Sequence, residues 1–117
     1  MLHLSIHSFT PTLNGENRNA EIGILYDPKQ AEEKSFAATW KEQLQLNLPE
    51  YNVRFNYPYL GTADGFTTYL RKKFPINYSG LELEINNKLS GELDWELIQE
   101  KIGISTKMSL QSIKLLK

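Results

Sequence analysis

The chain has 117 residues, no cysteine, and 13 Lys and Arg against 14 Asp and Glu, for a formal net charge of -1. That length and an apolar content of 40% suit one globular domain with a core of its own, and the near-zero charge gives no field that would gather phosphates, so nucleic acid is not an expected partner. The absence of cysteine excludes disulfides, thiolate metal ligands and a Cys nucleophile; with no membrane-length apolar run and no leader pattern, the expectation is a cytoplasmic chain with no membrane partner.

Leu2, Leu4 and Ile6 alternate with His3, Ser5 and His7, the period of a strand with one apolar and one polar face. A loop, TPTLNGENR, follows, with Pro11, Asn14 and Gly15 as turn residues. AEIGILYD reads as a second strand stopped by Asp27-Pro28, a pair that predicts a helix start with Asp27 as N-cap and Pro28 in the first turn. Phe36, Trp40 and Leu44 then recur every four residues, an amphipathic helix ending near Pro49.

YNVRFNYPYLG gives a short strand and a loop. Asp64 is placed to cap a second helix, with Phe66, Leu70 and Phe74 as its apolar stripe and Pro75 as its end. In GLELEIN, Leu81, Leu83 and Ile85 share one face of a strand and Glu82 and Glu84 the other. Leu93, Leu97, Ile98 and Ile102 mark a helix stopped at Gly103, and a Lys-bearing helical tail runs from Ser105. Strands alternating with helices predict a single α/β domain over 1–117, with a mixed, largely parallel sheet of about four strands flanked by helices.

Chemistry has few places to sit. His3 and His7 lie on one strand face about 13 Å apart, too far to share one ion, so at most one can serve a given metal. His7, at the strand's carboxyl end, is where open α/β sheets place their ligands, although a core histidine bonded to a carbonyl is the commoner outcome on composition alone. Glu84 is a candidate general base, because a carboxylate within a covered sheet must be paired or ligate something. The plainer reading of LELE is a half-exposed strand whose glutamates face solvent. Tyr57, Tyr59, Thr62 and Asp64 are candidates to line a pocket, with capping and packing as the equal alternative. Arg18 and Arg71 carry the fork that grips a carboxylate, and a surface ion pair is the commoner fate of each.

The blocks HSFTPTLNGENR, EIGILYD, NYPYLGTADGFTTYLR and LELEINNKL stand in the order and spacing of the N-formylglutamate amidohydrolase family, which the chain resembles from about Leu2 to Leu89. The resemblance implies a fold akin to the zinc carboxypeptidases and a zinc-dependent hydrolase of a non-peptide C–N bond, with an N-formyl amino acid as substrate. It puts a zinc ligand on His7, the general base on Glu84, and a substrate-carboxylate contact on Arg18, with Tyr59 and Arg71 as further substrate-binding candidates. Where the family has Arg after Glu-Ile, this chain has Asn86.

The family takes two further zinc ligands, a glutamate and a histidine, from a segment upstream of the His7 strand, so the chain looks like the C-terminal half of such a domain. Two expectations follow: an amidohydrolase completed by a partner, or a non-catalytic binding or interaction domain that keeps the scaffold. Uncovering the Leu2-Leu4-Ile6 face also predicts a homodimer or a partner supplying the missing half, joined there or at the tail helix with Met108, Leu115 and Leu116.

Overall fold

The computed structural model describes residues 1–13, 15–63 and 65–116, and the side chains of all of these but 13 and 114–116. Asn14, the expected turn residue, and Asp64, the expected helix cap, lie outside the described residues, as do the side chains of Leu115 and Leu116.

Strand alternation is realised first in β1 (Leu2–Phe9). A two-stranded ribbon, β2 (Thr12–Leu13) and β3 (Glu16–Asn17), fills the following loop. After it come β4 (Ile22–Leu25), α1 (Ala31–Asn47), β5 (Val53–Phe55), α2 (Gly65–Lys73), β6 (Ser79–Asn86) and α3 (Trp95–Leu116). The main sheet has the order β1-β6-β4-β5: β1 is parallel to β6, β4 antiparallel to β6, and β5 parallel to β4. The fold is therefore α/β with a mixed four-stranded sheet, as the alternation predicts.

The core forms where the aliphatic face of the sheet meets α1 and α3. Ile22, Ile24, Leu81 and Leu83 from the strands pack with Phe36, Trp40 and Leu44 of α1 and with Ile98 and Ile102 of α3. Trp40 Nε1 donates to Thr106 Oγ1 at 3.0 Å, so the largest core side chain also satisfies its polar atom. Asn47 Nδ2 donates to Ser105 Oγ at 3.0 Å, tying the same two helices lower down.

Three expectations about helices change. Asp27 does not cap α1: its Oδ1 accepts from Lys29 N and its carbonyl from Gln30 N, so Asp27–Gln30 is a turn and the helix begins at Ala31. The side chain that reaches back is Glu33, whose Oε1 accepts from Asp27 N at 2.9 Å. The aromatic stripe of α2 does not bury, since Phe66 and Phe74 are exposed and Thr67 is the helix's buried residue. A nine-residue helix docks instead through Thr67 and Arg71, one turn apart on the same side.

Nor does Gly103 stop a helix. One continuous α3 runs through it, and Leu93, expected as its first apolar contact, lies before Trp95 and is fully exposed. A mid-helix glycine costs about 1 kcal/mol. Ile98 and Ile102 before it and Ser105 and Thr106 after it all engage the core or α1, and that packing holds the helix together across it.

Candidate functional site

β1 and β6 run parallel in a register that sets His3 beside Gly80, Ser5 beside Glu82 and His7 beside Glu84. The polar faces of the two strands therefore coincide, and the histidine and glutamates meet at the carboxyl ends of the parallel pair. One donor atom from each of His7, Glu82 and Glu84 lies within 4.8 Å of the others. His7 is exposed, while Glu82 and Glu84 are only 6% and 4% accessible.

Two expectations are thereby corrected. His7 is not a core histidine, because β1 is the sheet's edge strand and its carboxyl end is open. The glutamates do not face solvent, because β6 is an inner strand flanked by β1 and β4. Glu82 is the residue that sequence reasoning set aside. Its signal was the Glu-x-Glu spacing itself, which puts two carboxylates on one face of a strand, an unusual burden once that face is covered.

The cover comes from the loop after β5. Asn56 takes a left-handed conformation (φ 50°), and its Oδ1 accepts from both Tyr26 N and Gly61 N. This single side chain staples the loop to the end of β4, and Asn tolerates the left-handed region better than most residues. The loop then lays the Tyr57 carbonyl across Gly23, the β4 neighbour of Glu84, so closely that a Cβ at Gly23 would collide with it. Tyr59, Leu60 and Ala63 complete a cavity of about 220 Å³ shared with His7, Leu25 and Glu82.

The Gly23 contact makes a prediction. Gly23→Ala should lower stability by about 3 kcal/mol, the upper end of overpacking, because the obstacle is backbone. Urea unfolding measures it, and a loss below about 0.5 kcal/mol would show that the loop is free to lift away.

Arg18 stands next to this cavity. Its Nη1 donates to Tyr59 OH at 3.2 Å and to Thr10 O at 3.3 Å, and its guanidinium lies over the rings of Phe9 and Tyr59. Tyr57 OH accepts from Asn19 N, so both tyrosines brace the Arg18 loop against the cavity wall. Thr62 is exposed and does not line this cavity.

Arg71 is elsewhere. Its Nε and Nη2 grip the two oxygens of Glu33 at 2.9 Å each, Nη2 also donates to Gly80 O, and Nη1 donates to Gly61 O. Expected as a substrate contact, it has its fork committed within the scaffold. Asn86, standing where the resembled family has Arg, is fully buried: Nδ2 donates to Ala20 O and Oδ1 accepts from Lys88 N, capping the short helix that follows β6. His3 takes no part in the His7 cluster; its Nδ1 and Nε2 face Tyr78 OH and Ser5 Oγ.

These features define a small α/β domain with one imidazole and two buried carboxylates converging at the carboxyl ends of a parallel strand pair. Among solved structures, the crystal structure of gene product Atu2144 from Agrobacterium tumefaciens is similar, with a TM-score of 0.65 and 28% sequence identity over 95% of this chain. The match covers 43% of that chain, so this one spans less than half the length of the structure it resembles. No protein-family model and no curated protein matches the sequence. Among the described residues, no helix is long and apolar enough to cross a membrane.

Proposed function

We propose that this chain carries part of a zinc-dependent hydrolytic site that cleaves the amide of a small molecule such as an N-formyl amino acid. The observation that carries the reading is the convergence of His7, Glu82 and Glu84 at the strand ends. Imidazole and carboxylate are the donors zinc takes in catalytic sites, and three such groups within 4.8 Å can supply two metal ligands and a base beside them. In this reading His7 and Glu82 hold the metal. Bound zinc would polarise the amide carbonyl and acidify a water.

Glu84, buried beside them, takes the proton of the attacking water and returns it to the departing amine. Arg18, held over Phe9 and Tyr59, presents a guanidinium to the substrate's carboxylate, and Tyr59 supplies a wall of the cavity.

Zinc titration of the purified chain by calorimetry tests the metal. One-to-one binding is expected, weakened by tenfold or more in His7→Ala and in Glu82→Gln, with the fold unchanged by circular dichroism. Affinity indifferent to both substitutions would remove the site. A second reading, a non-catalytic interaction domain, draws on the open edge of β1. It expects no turnover of N-formyl amino acids by the zinc-loaded chain, alone or with any added partner.

A further inference from the structure

Among the described residues no strand pairs with the outer edge of β1, although it is eight residues long. Proteins usually blunt such an edge with Lys, Glu, Pro, a bulge or shortness. β1 has none of these: Leu2-His3-Leu4-Ser5-Ile6-His7-Ser8-Phe9 contains no charged residue and no proline. Ile6, on its aliphatic face, is 58% accessible. Beside it a groove of about 1090 Å³ opens between β1 and α3, with Ile85, Trp95, Ile102 and Leu110 among its walls. The edge and the groove form one surface that is ready to receive a strand.

The sequence of β1 says which strand. Read outward from Ser5 in both directions, Leu4 answers Ile6 and His3 answers His7. The strand is a near-palindrome, so an antiparallel copy of itself sets aliphatic against aliphatic and imidazole against imidazole. A two-fold interface requires this kind of self-complementarity, and an unrelated partner does not. Register in such a pair is set by keeping the apolar face together.

We infer that two copies of this chain associate through antiparallel pairing of β1 with β1 about a two-fold axis at Ser5, joining their four-stranded sheets into one. Leu4 of each copy then lies opposite Ile6 of the other, and the joined aliphatic faces shelter the groove beside α3. On the polar face, His7 of each copy lies opposite the second copy's His3, with cross-strand Cβ atoms about 4.5–5.5 Å apart. A histidine remote from His7 within one chain becomes its neighbour in the pair. Resting on the proposed zinc site, the dimer therefore adds an imidazole next to each metal position, whereas the pairing itself needs no metal.

The lack of cysteine makes the register directly readable. In Ser5→Cys the two new thiols sit across the axis, where opposed Cα atoms are about 4.5–5.5 Å apart, within disulfide range. Sedimentation velocity of the unmodified chain at 100 µM in EDTA should give twice the 13.5 kDa chain mass. Mild oxidation of Ser5→Cys should convert most of it to a covalent dimer, while Lys72→Cys, exposed on α2, should stay monomeric on a non-reducing gel. Ile6→Lys, at an exposed position, should leave the chain folded and shift it to monomer.

A wild-type monomer at that concentration overturns the inference. So does a dimer in which Ser5→Cys fails to cross-link, in which Lys72→Cys cross-links equally well, or which survives Ile6→Lys. Because these measurements are made without zinc, failure of the hydrolytic reading leaves them untouched, and their failure leaves the zinc titration untouched.

Discussion

Glu33→Ala should destabilise the domain by about 3–5 kcal/mol, the usual consequence of leaving one member of a buried ion pair alone. Glu33 is fully buried, and its carboxylate accepts from Arg71 Nε and Nη2, from Gly80 N and from Asp27 N. One side chain thus ties α1 to α2, to the start of β6 and to the turn before its own helix. Removing it strands the Arg71 guanidinium at 8% accessibility with two carbonyls, Gly61 O and Gly80 O, and no ion-pair partner among the described residues.

Arg71→Ala should cost a similar amount by exposing the opposite charge to the same interior. Guanidinium chloride unfolding measures both. The double variant Glu33→Gln/Arg71→Met should be less damaged than the sum of its parts, since a neutral, well-packed pair avoids the desolvation of two ions. A loss below about 1 kcal/mol in Glu33→Ala would mean that the pair is solvated in solution and that α2 is held by other contacts. Because Arg71 also holds Gly61 O, at the end of the loop that carries Tyr59, disruption here should spread to the cavity.

In whatever assembly turns over an N-formyl amino acid, Glu84→Gln should lower kcat by about 10²–10⁴ while zinc content stays near that of the unaltered protein. The amide keeps the shape of the carboxylate but cannot accept the water's proton at neutral pH, and it adds no charge to a position only 4% accessible. Glu82→Gln should do the reverse, losing metal first and activity as a consequence. Arg18→Ala should raise KM with a smaller change in kcat, since in the proposed mechanism its guanidinium binds the substrate carboxylate and moves no proton. If Glu84→Gln instead loses zinc while Glu82→Gln retains zinc and loses turnover, the two carboxylates have exchanged roles. The atom counts of the site would survive that result, but the mechanism would need Glu82 as the base.

Much of the fold is legible in the sequence because one-sided burial leaves a period. The alternation in 2–7 and 80–86 identifies two strands of the sheet, and Phe36, Trp40 and Leu44 identify α1 and its buried side. Local chemistry is legible only where it meets no competitor. Asp27-Pro28 has the composition of a helix start, yet the Asp27 side chain found Lys29 N first and became a turn. In α2 an ion pair to Glu33 outweighed an aromatic stripe, because a bidentate buried guanidinium fixes a short helix more firmly than rings that remain in water.

What the sequence by itself determined, then, is most of the inventory: the strands of the main sheet and the helix α1, that His7 lies near the carboxyl end of a strand, and that Glu82 and Glu84 share a face. The tertiary structure alone decided what that inventory does. Parallel pairing of residues 2–9 with 79–86 brings His7 to Glu84, and only the strand order makes β6 an inner strand and β1 an edge. The same histidine would have been buried, and the same glutamates solvated, had the two strands changed places. Periodicity is a local property of the chain, whereas strand order is chosen by contacts between segments far apart in it, from Ile22 with Val53 to Leu2 with Ser79, and no spacing within any one strand encodes it.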